Sequence, residues 1–272
     1  MEKVAAKPVQ EAVQFLRQFC PETPSAAIVL GSGVKVLENL DESRSVTFQE
    51  VFGISPGVVG HSGAITVGKV EGTTVAVLRG RFHLYEGHSW DVVTLPTQVL
   101  VEWGVPNLYL TNAAGGINQN FSVGDLMLLT GYRDHLNSSY RTSGLLPQMR
   151  KAPVNCTNQL TDHILETANA LSKEDKQFRP MQSGTYVGLL GPNYETLAEI
   201  EMLKYLHCDA VGMSTVPELL TCNGTNTRAA AISVITNVWK PDEAVGGHEE
   251  VLTAAKEASE RLDKLFRKAI KS

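Results

Sequence analysis

Short apolar runs rich in β-branched residues recur along the chain, and each ends at or near glycine, asparagine or serine. Runs of four to eight such residues, bounded by turn-forming residues, are typical of buried strands. The pattern therefore predicts strands within SAAIVLGSG (25–33), TVAVLRG (74–80), NLYLTNAAGG (107–116), DLMLLTG (125–131), GTYVGLLGP (184–192), DAVGM (209–213) and AAAISVITN (229–237).

Amphipathic stretches with helical spacing lie between several of these runs, at 94–104, 160–175 and 196–207, and the longest one starts at 248. Thr196, followed three residues later by Glu199, has the form of a capping box and predicts a helix start directly after Tyr194 and Glu195. The alternation predicts an α/β fold. Because no repeat or linker divides the chain, we expect one domain over residues 1–272.

Two stretches show no clear period. Residues 132–160 are polar and rich in turn formers, and residues 238–248 contain a proline and two glycines before the last predicted helix. Long irregular segments in compact folds are often functional loops or lids. We expect a functional loop or surface excursion in the first stretch and a mobile lid in the second.

The composition excludes several classes of protein. The chain has 272 residues, is 43% hydrophobic and carries a net charge of −5, which is typical of a globular protein and gives no basic field to attract nucleic acid. Four scattered cysteines, without a CxxC pair, predict neither disulfides nor a zinc site. No apolar run is long enough for a membrane helix or a signal peptide, so we expect a cytosolic protein.

The segment GRFHLYEG (80–87) is the most informative candidate for chemistry. If it is extended, Arg81, His83 and Tyr85 project to one side, while Phe82 and Leu84 project to the other. Arginine supplies a fixed fork of donors for phosphate, and histidine can donate or accept. A half-buried edge strand with a solvated polar face explains the spacing about equally well.

Other candidates are ambiguous when taken singly. Gly31-Ser32-Gly33 matches no complete phosphate-binding motif, and an ordinary turn explains it better. Ser214 has the position of a helix N-cap, and Asn237 that of a turn former. His61 and His248 are more often loop histidines than functional ones in such settings.

The candidates agree in position, because five predicted strands end in small, hydroxyl or amide residues. In parallel α/β sheets, ligands bind outside the carboxyl ends of the strands. The metal-free anion pocket expected there would be formed by Ser32, Arg81, His83, the amide region at Ala113, and Ser214. The carboxylate of Glu195 and the amide of Asn237 would remain to bind another group.

The sequence resembles the trimeric purine nucleoside phosphorylases through motifs that occur in the same order along nearly the whole chain. The motifs are GSG (31–33), GHSG (60–63), GRFHLYEG (80–87), TNAAGG (111–116), GPNYET (191–196), DAVGMSTVPE (209–218), ITN (235–237) and HEEVL (248–252). The resemblance implies an α/β fold with a twisted central mixed sheet flanked by helices, and a homotrimer. It also implies cleavage of purine nucleosides by inorganic phosphate without cofactor or metal.

The resemblance also implies a role for each matching residue. Phosphate would be held by Ser32, His61, Arg81, His83, the backbone at Ala113, and Ser214. The ribose would contact Tyr85, Met213 and His248. The base would contact Tyr194, Glu195, Val211, Gly212 and Asn237. Among these, Asn237, His83 and Glu195 would be the catalytic residues.

Two departures affect the 5′ side of the ribose. The family usually has an aromatic-rich stretch that reaches a neighbouring subunit, whereas this chain has SGLLPQMRKAP there and no aromatic residue between Tyr140 and Phe178. The stretch from Asn237 to His248 is also shortened. The base and phosphate residues are unaffected by either departure.

The expected reaction develops positive charge on the sugar and negative charge on the leaving base, and bound phosphate is the nucleophile. Paired catalytic carboxylates are therefore not expected. The alternatives are a methylthioadenosine phosphorylase, for which Asp is expected in place of Asn237, and a nucleoside-binding protein with reduced turnover. A calcium-dependent nucleoside hydrolase would need an Asp-rich N-terminal motif, which the sequence lacks.

Overall fold

The apolar runs assemble into a mixed ten-stranded sheet in the computed structural model, which describes residues 6–58, 60–136, 152–240 and 248–271. The strands are β1 (Ala26–Val29), β2 (Asp41–Thr47), β3 (Ala64–Val70), β4 (Thr73–Arg79), β5 (Asn107–Gly116), β6 (Leu126–Asp134), β7 (Val154–Asn155), β8 (Gln182–Gly188), β9 (Ala210–Gly212) and β10 (Arg228–Val238). The helices are α1 (Val9–Phe19), α2 (Phe48–Phe52), α3 (Trp90–Trp103), α4 (Gln159–Glu174), α5 (Leu197–Tyr205), α6 (Val216–Cys222) and α7 (His248–Lys271), with a 3₁₀ turn at Leu84–Glu86.

Parallel pairing dominates the centre of the sheet. Strand β1 pairs in parallel with β4 and β5, and β5 pairs in parallel with β10 along its whole length. Strands β2, β3 and β4 form an antiparallel meander, and β10 with β6 and β5 with β9 are also antiparallel. The predicted α/β fold with a central mixed sheet is confirmed.

Both faces of the central strands are buried, which explains why they are continuous apolar runs rather than alternating ones. In β1, Ala27 and Val29 belong to the cluster that includes residues of α1, α2 and α3, whereas Ala26 and Ile28 belong to the cluster that includes residues of α4 and α7. Successive side chains of a strand point to opposite faces, so one short run contributes to two cores.

The predicted capping box is present at the start of α5. Thr196 Oγ1 accepts a hydrogen bond from the backbone N–H of Glu199 at 3.3 Å, and Glu199 Oε2 accepts one from the N–H of Thr196 at 2.8 Å. Because these bonds satisfy amide groups that have no partner within the helix, they fix its first turn directly after Tyr194 and Glu195.

Several elements lack the apolar pattern that identified the others. Strand β2 has the sequence DESRSVT and is mostly exposed, because it lies at the edge of the sheet and pairs only with β3 among the described strands. In the stretch 132–160, the described parts complete β6, form β7 and begin α4, while 137–151 lie outside the described residues. Residues 241–247 of the expected lid also lie outside them. No described helix is long and apolar enough to cross a membrane.

Candidate functional site

A cavity of about 720 Å³ lies at the edge of the sheet where β1, β4, β5 and β10 end. Because these strands are parallel, the residues that follow them meet at the same edge. The residues singled out from the sequence that line this cavity are Ser32, Arg81, His83, Tyr85, Ala113, Tyr194, Glu195, Val211, Gly212, Met213, Ser214 and Asn237.

The guanidinium group of Arg81 is buried, and two of its three nitrogen atoms donate hydrogen bonds within the described protein. Its Nε donates to Glu218 Oε1 at 2.8 Å, and its Nη1 donates to the carbonyl oxygen of Thr111 at 2.8 Å and to Ser214 Oγ at 3.3 Å. Its Nη2 is buried and has no hydrogen-bond partner among the described residues. Since leaving such a donor unsatisfied is costly, Nη2 is suited to bind an anion in the cavity.

His83 lies beside Arg81, and its pKa differs from the ordinary value for histidine. Burial lowers the pKa of His83, and this effect outweighs the opposing hydrogen bond to Glu86. The pKa of Glu86 also lies below its ordinary value, because hydrogen bonds from His83 and from the backbone of Gly57 outweigh the effect of its burial. A carboxylate only accepts, so His83 Nδ1, 3.0 Å from Glu86 Oε1, carries the proton. A neutral His83 ring therefore has its Nε2 lone pair available.

The segment after β4 is not extended throughout, although the expected separation of its side chains was conditional on an extended backbone. Residues 84–86 form a 3₁₀ turn, and the extended backbone ends at His83. The expected separation still holds, because Phe82 is buried against Phe48 and Phe52 whereas Arg81, His83 and Tyr85 line the cavity. The turn places the Tyr85 ring against the His83 ring, with 4.6 Å between the ring centroids.

His61 lies next to the cavity rather than in its lining. Its Nε2 is 3.3 Å from Ser32 Oγ, and its ring is nearly parallel to that of His83, with 5.4 Å between the centroids. His61 also lines a neighbouring polar cavity of about 1000 Å³, together with residues that include Lys35 and Arg79. It therefore reaches the proposed anion site through Ser32 and His83.

The turn that holds Ser214 contains a residue in an unusual backbone conformation. The next residue, Thr215, has a φ of 72°, a left-handed conformation that β-branched residues rarely adopt. Asn112 Nδ2 donates to Thr215 Oγ1 at 2.8 Å, and the Tyr186 hydroxyl donates to the carbonyl oxygen of Ser214 at 3.2 Å. These bonds hold the turn that brings Ser214 Oγ to Arg81.

Strand β9 explains how Val211, Gly212 and Met213 reach the cavity. It pairs antiparallel with the end of β5, with Val211 opposite Gly115. The chain therefore runs back along β5 toward Ala113 and the other residues of the proposed anion site. This route differs from that of the other strand ends, which reach the site because their strands are parallel to one another.

The other end of the cavity contains a carboxylate and an amide. Burial raises the pKa of Glu195, and the nearby charge of Glu199 adds to the effect. Asn237 follows Thr236, whose Oγ1 is 3.3 Å from Asn237 Oδ1. A Cβ atom on Gly115 would lie 3.3 Å from Asn237 Nδ2, so glycine allows the amide to approach β5 closely.

His248 begins α7, but its side chain lies outside what the structure describes. The structure adds cavity residues that the sequence analysis did not name individually, although all lie in its motifs: Asn112, Ala114, Gly115, Thr236 and Val251. The main residue that sequence reasoning missed is Glu218, whose partnership with Arg81 spans 137 positions and gives no local pattern. Within the described part of the chain, no cluster of three or more His, Cys, Asp and Glu residues suited to a metal ion occurs.

Comparisons with known proteins agree over nearly the whole chain. The family profile of the phosphorylase superfamily matches residues 25–271. Purine nucleoside phosphorylase 1 of Bacillus subtilis is 34% identical over 270 residues, which cover 97% of this chain and 96% of that protein. The Bos taurus purine nucleoside phosphorylase is 35% identical over 272 residues, covering 93% and 91%.

Solved structures are also similar over nearly the whole chain. The structure of Schistosoma mansoni purine nucleoside phosphorylase in complex with inosine has a TM-score of 0.81 at 28% identity, covering 97% of this chain and 95% of that one. The same schistosome protein in complex with adenosine has a TM-score of 0.80 at 29% identity. The range matched by the family profile, residues 25–271, includes every strand that borders the cavity.

Proposed function

Because this chain belongs to the phosphorylase superfamily and is an enzyme of the purine nucleoside phosphorylase kind, we propose that its substrates are 6-oxopurine nucleosides. Inosine and guanosine, or their deoxy forms, would react with inorganic phosphate to give the free base and (deoxy)ribose 1-phosphate. One observation carries the proposal. The cavity joins a set of anion donors, including the buried Arg81 Nη2 that has no hydrogen-bond partner among the described residues, to the Glu195 carboxylate and the Asn237 amide.

In this proposal, the phosphate binds at the end of the cavity near Arg81. The arginine fork, the hydroxyls of Ser32 and Ser214 and the backbone at Ala113 donate to its oxygens, and His83 and His61 complete the site. Phosphate is acceptor-rich, so this donor set matches it. Holding a bound nucleophile in line with the sugar supplies a large part of the rate enhancement.

The ribose lies between the two ends, next to Tyr85 and Met213, with His248 assigned to its 5′-hydroxyl. A phosphate oxygen forms a bond to C1′ as the C1′–N9 bond breaks, and the bonding electrons move into the purine. The sugar is positively charged in the transition state, so the adjacent phosphate anion stabilises it. The purine takes up a proton from solvent at N7 as it leaves.

Base recognition follows from the count of donors and acceptors. An ionised Glu195 only accepts, which suits the N1–H of hypoxanthine or guanine and the 2-amino group of guanine. Asn237 can donate to O6 and accept from protonated N7. Tyr194, Val211 and Gly212 would contact the ring. Adenine presents a lone pair at N1 and an amino group at C6. The N1 lone pair would face the Glu195 carboxylate, which is also an acceptor, and the amino group would face the amide donor of Asn237.

The direct test measures hypoxanthine release from inosine with and without phosphate, in the presence and absence of EDTA. We expect release only with phosphate, and no effect of the chelator. Release without phosphate that EDTA abolishes and calcium restores would instead indicate a hydrolase. Binding without release would indicate a nucleoside-binding protein. Adenosine belongs in the same assay, because the schistosome relative is known with either nucleoside bound.

We also propose that the enzyme is a homotrimer in which the 132–160 segment lies at or near a subunit contact. The support is the resemblance to the trimeric purine nucleoside phosphorylases. Sedimentation equilibrium at working concentration should give three times the chain mass of 29.5 kDa. A monomeric mass would refute this assembly.

A further inference from the structure

We propose that Glu218 is a positioning residue that directs Arg81 toward bound phosphate and at the same time cancels the charge of Arg81. The inference rests on the proposed function, because it assumes that the anion in the cavity is phosphate. Glu218 does not line the cavity, so its influence on the ligand passes through Arg81.

The pair is buried on both sides. Arg81 is 3% exposed and Glu218 is 5% exposed, and Nε to Oε1 is 2.8 Å. Glu218 lies in the first turn of α6, directly after the Ser214–Thr215 turn. A carboxylate placed there against Arg81 connects the segment after β4 to the segment after β9. These two segments supply three of the proposed phosphate contacts, namely Arg81, His83 and Ser214.

The hydrogen bonds restrict the guanidinium to one orientation. This group is planar, and its Nε and Nη1 are both engaged, by Glu218 on one side and by Thr111 and Ser214 on the other. Only Nη2 remains unpartnered among the described residues. Without the Nε contact the side chain would regain torsional freedom, and Nη2 would no longer be presented to the phosphate in advance.

The described charged groups around the proposed phosphate site do not add up to a net positive charge. Among the described residues that line the cavity, Arg81 is the one with a permanent positive charge. Glu218 neutralises it at contact distance, and His83, which burial keeps neutral, is paired with Glu86. The phosphate would therefore be held by directed hydrogen bonds rather than by a net positive charge, which limits the affinity for the anionic substrate and for the anionic product.

Two conservative variants separate orientation from charge. Glu218→Gln keeps an acceptor for Nε but removes the negative charge, so inorganic phosphate should bind about fivefold or more tightly. Glu218→Asp keeps the charge but is one methylene shorter and loses the contact, so phosphate should bind about fivefold or more weakly. Isothermal titration calorimetry with inorganic phosphate measures both, and steady-state kinetics gives the KM for inosine, expected to stay within about twofold.

Asp125→Asn is the matched control. Asp125 is another buried carboxylate, 6% exposed and 3.0 Å from Arg179 Nη1, and it does not line the cavity. Its substitution should lower the unfolding temperature without changing the Kd of phosphate. Shifts in phosphate affinity of opposite sign for Glu218→Gln and Glu218→Asp support the inference.

Unchanged phosphate affinity, equal weakening in both variants, or parallel shifts in phosphate Kd and inosine KM would overturn it. Failure of the proposed function itself gives a different result. In that case the unmodified enzyme would show neither phosphate binding nor phosphate-dependent release of base.

Discussion

The two ends of the cavity are built differently. At the end proposed to bind phosphate (the phosphate end), Arg81 makes three hydrogen bonds, and His83 is fixed by Glu86 and flanked by two rings. At the end proposed to bind the base (the base end), Asn237 accepts one hydrogen bond among the described side chains, at 3.3 Å from the Thr236 hydroxyl, and Tyr194 is 46% exposed. The phosphate end is therefore organised before substrate arrives, whereas the base end has fewer internal constraints.

This difference matches the demands of the two proposed ligands. Phosphate is the same in every turnover, so a rigid site loses little and gains rate from pre-organisation. The base varies between nucleosides, and its selection depends on a few unpaired donors and acceptors. We expect substitutions at the phosphate end to change the rate for all nucleosides alike, and substitutions at the base end to change the ratio between nucleosides.

Arg81→Lys should have the largest effect. An ammonium group cannot contact Glu218, Thr111 and the phosphate as a planar fork does, so kcat/KM for phosphate should fall by about 10²- to 10³-fold. The ratio of inosine to adenosine turnover should stay unchanged. Initial rates over a range of phosphate concentrations measure both, and a selective loss of one nucleoside would contradict the division between the two ends.

Asn237→Asp should invert part of the base preference. A protonated Asp can donate to N7 and accept from the 6-amino group of adenine, so the adenosine to inosine ratio of kcat/KM should rise about 10- to 100-fold, equivalent to about 1–3 kcal/mol. Competition assays with both nucleosides give the ratio directly. An unchanged ratio would refute the role of Asn237 in base recognition.

Thr236→Val should produce a smaller change of the same kind. The variant keeps the shape but removes the hydroxyl next to Asn237 Oδ1, so the amide loses its one described side-chain bond. We expect inosine kcat/KM to fall about fivefold and the phosphate KM to stay constant, while Thr236→Ser restores activity. Loss of activity in both variants would mean that the methyl group, rather than the hydroxyl, is needed.

The smallest effect concerns stability at acidic pH. Burial lowers the pKa of His83 in the folded state below the ordinary histidine value of about 6.5. Below that value the unfolded chain therefore binds more protons than the folded chain, and the stability of the protein decreases as the pH is lowered. His83→Gln should make the fall in melting temperature between pH 7.5 and 5.5 less steep. Burial also lowers the pKa of His135. The melting temperature of His135→Gln, measured over the same pH range, is therefore the comparison. An identical slope in His83→Gln and the unmodified enzyme would contradict the argument.

The sequence predicted most of the strands that bury apolar surface, but not β3, in which Ile65, Val67 and Val70 are buried. All seven apolar runs contain strands, and the capping box at Thr196 begins α5 as expected. Strand β2 could not be predicted in the same way, since six of its seven residues are polar and its one apolar residue, Val46, gives no period; its pairing with β3 defines it as a strand. Edge strands contribute little to a core, so they have no hydrophobic period to detect.

By itself, the sequence determined which residue types stand at the strand ends, and its ordered motifs indicated the family. Only the tertiary structure decided how those residues meet: β9 turns back along β5, the 3₁₀ turn places Tyr85 on His83, and Glu218 comes within 2.8 Å of an arginine 137 positions away. Local patterns depend on neighbours along the chain. Partners such as Arg81 and Glu218 depend instead on long-range packing, which leaves no periodic trace in the sequence.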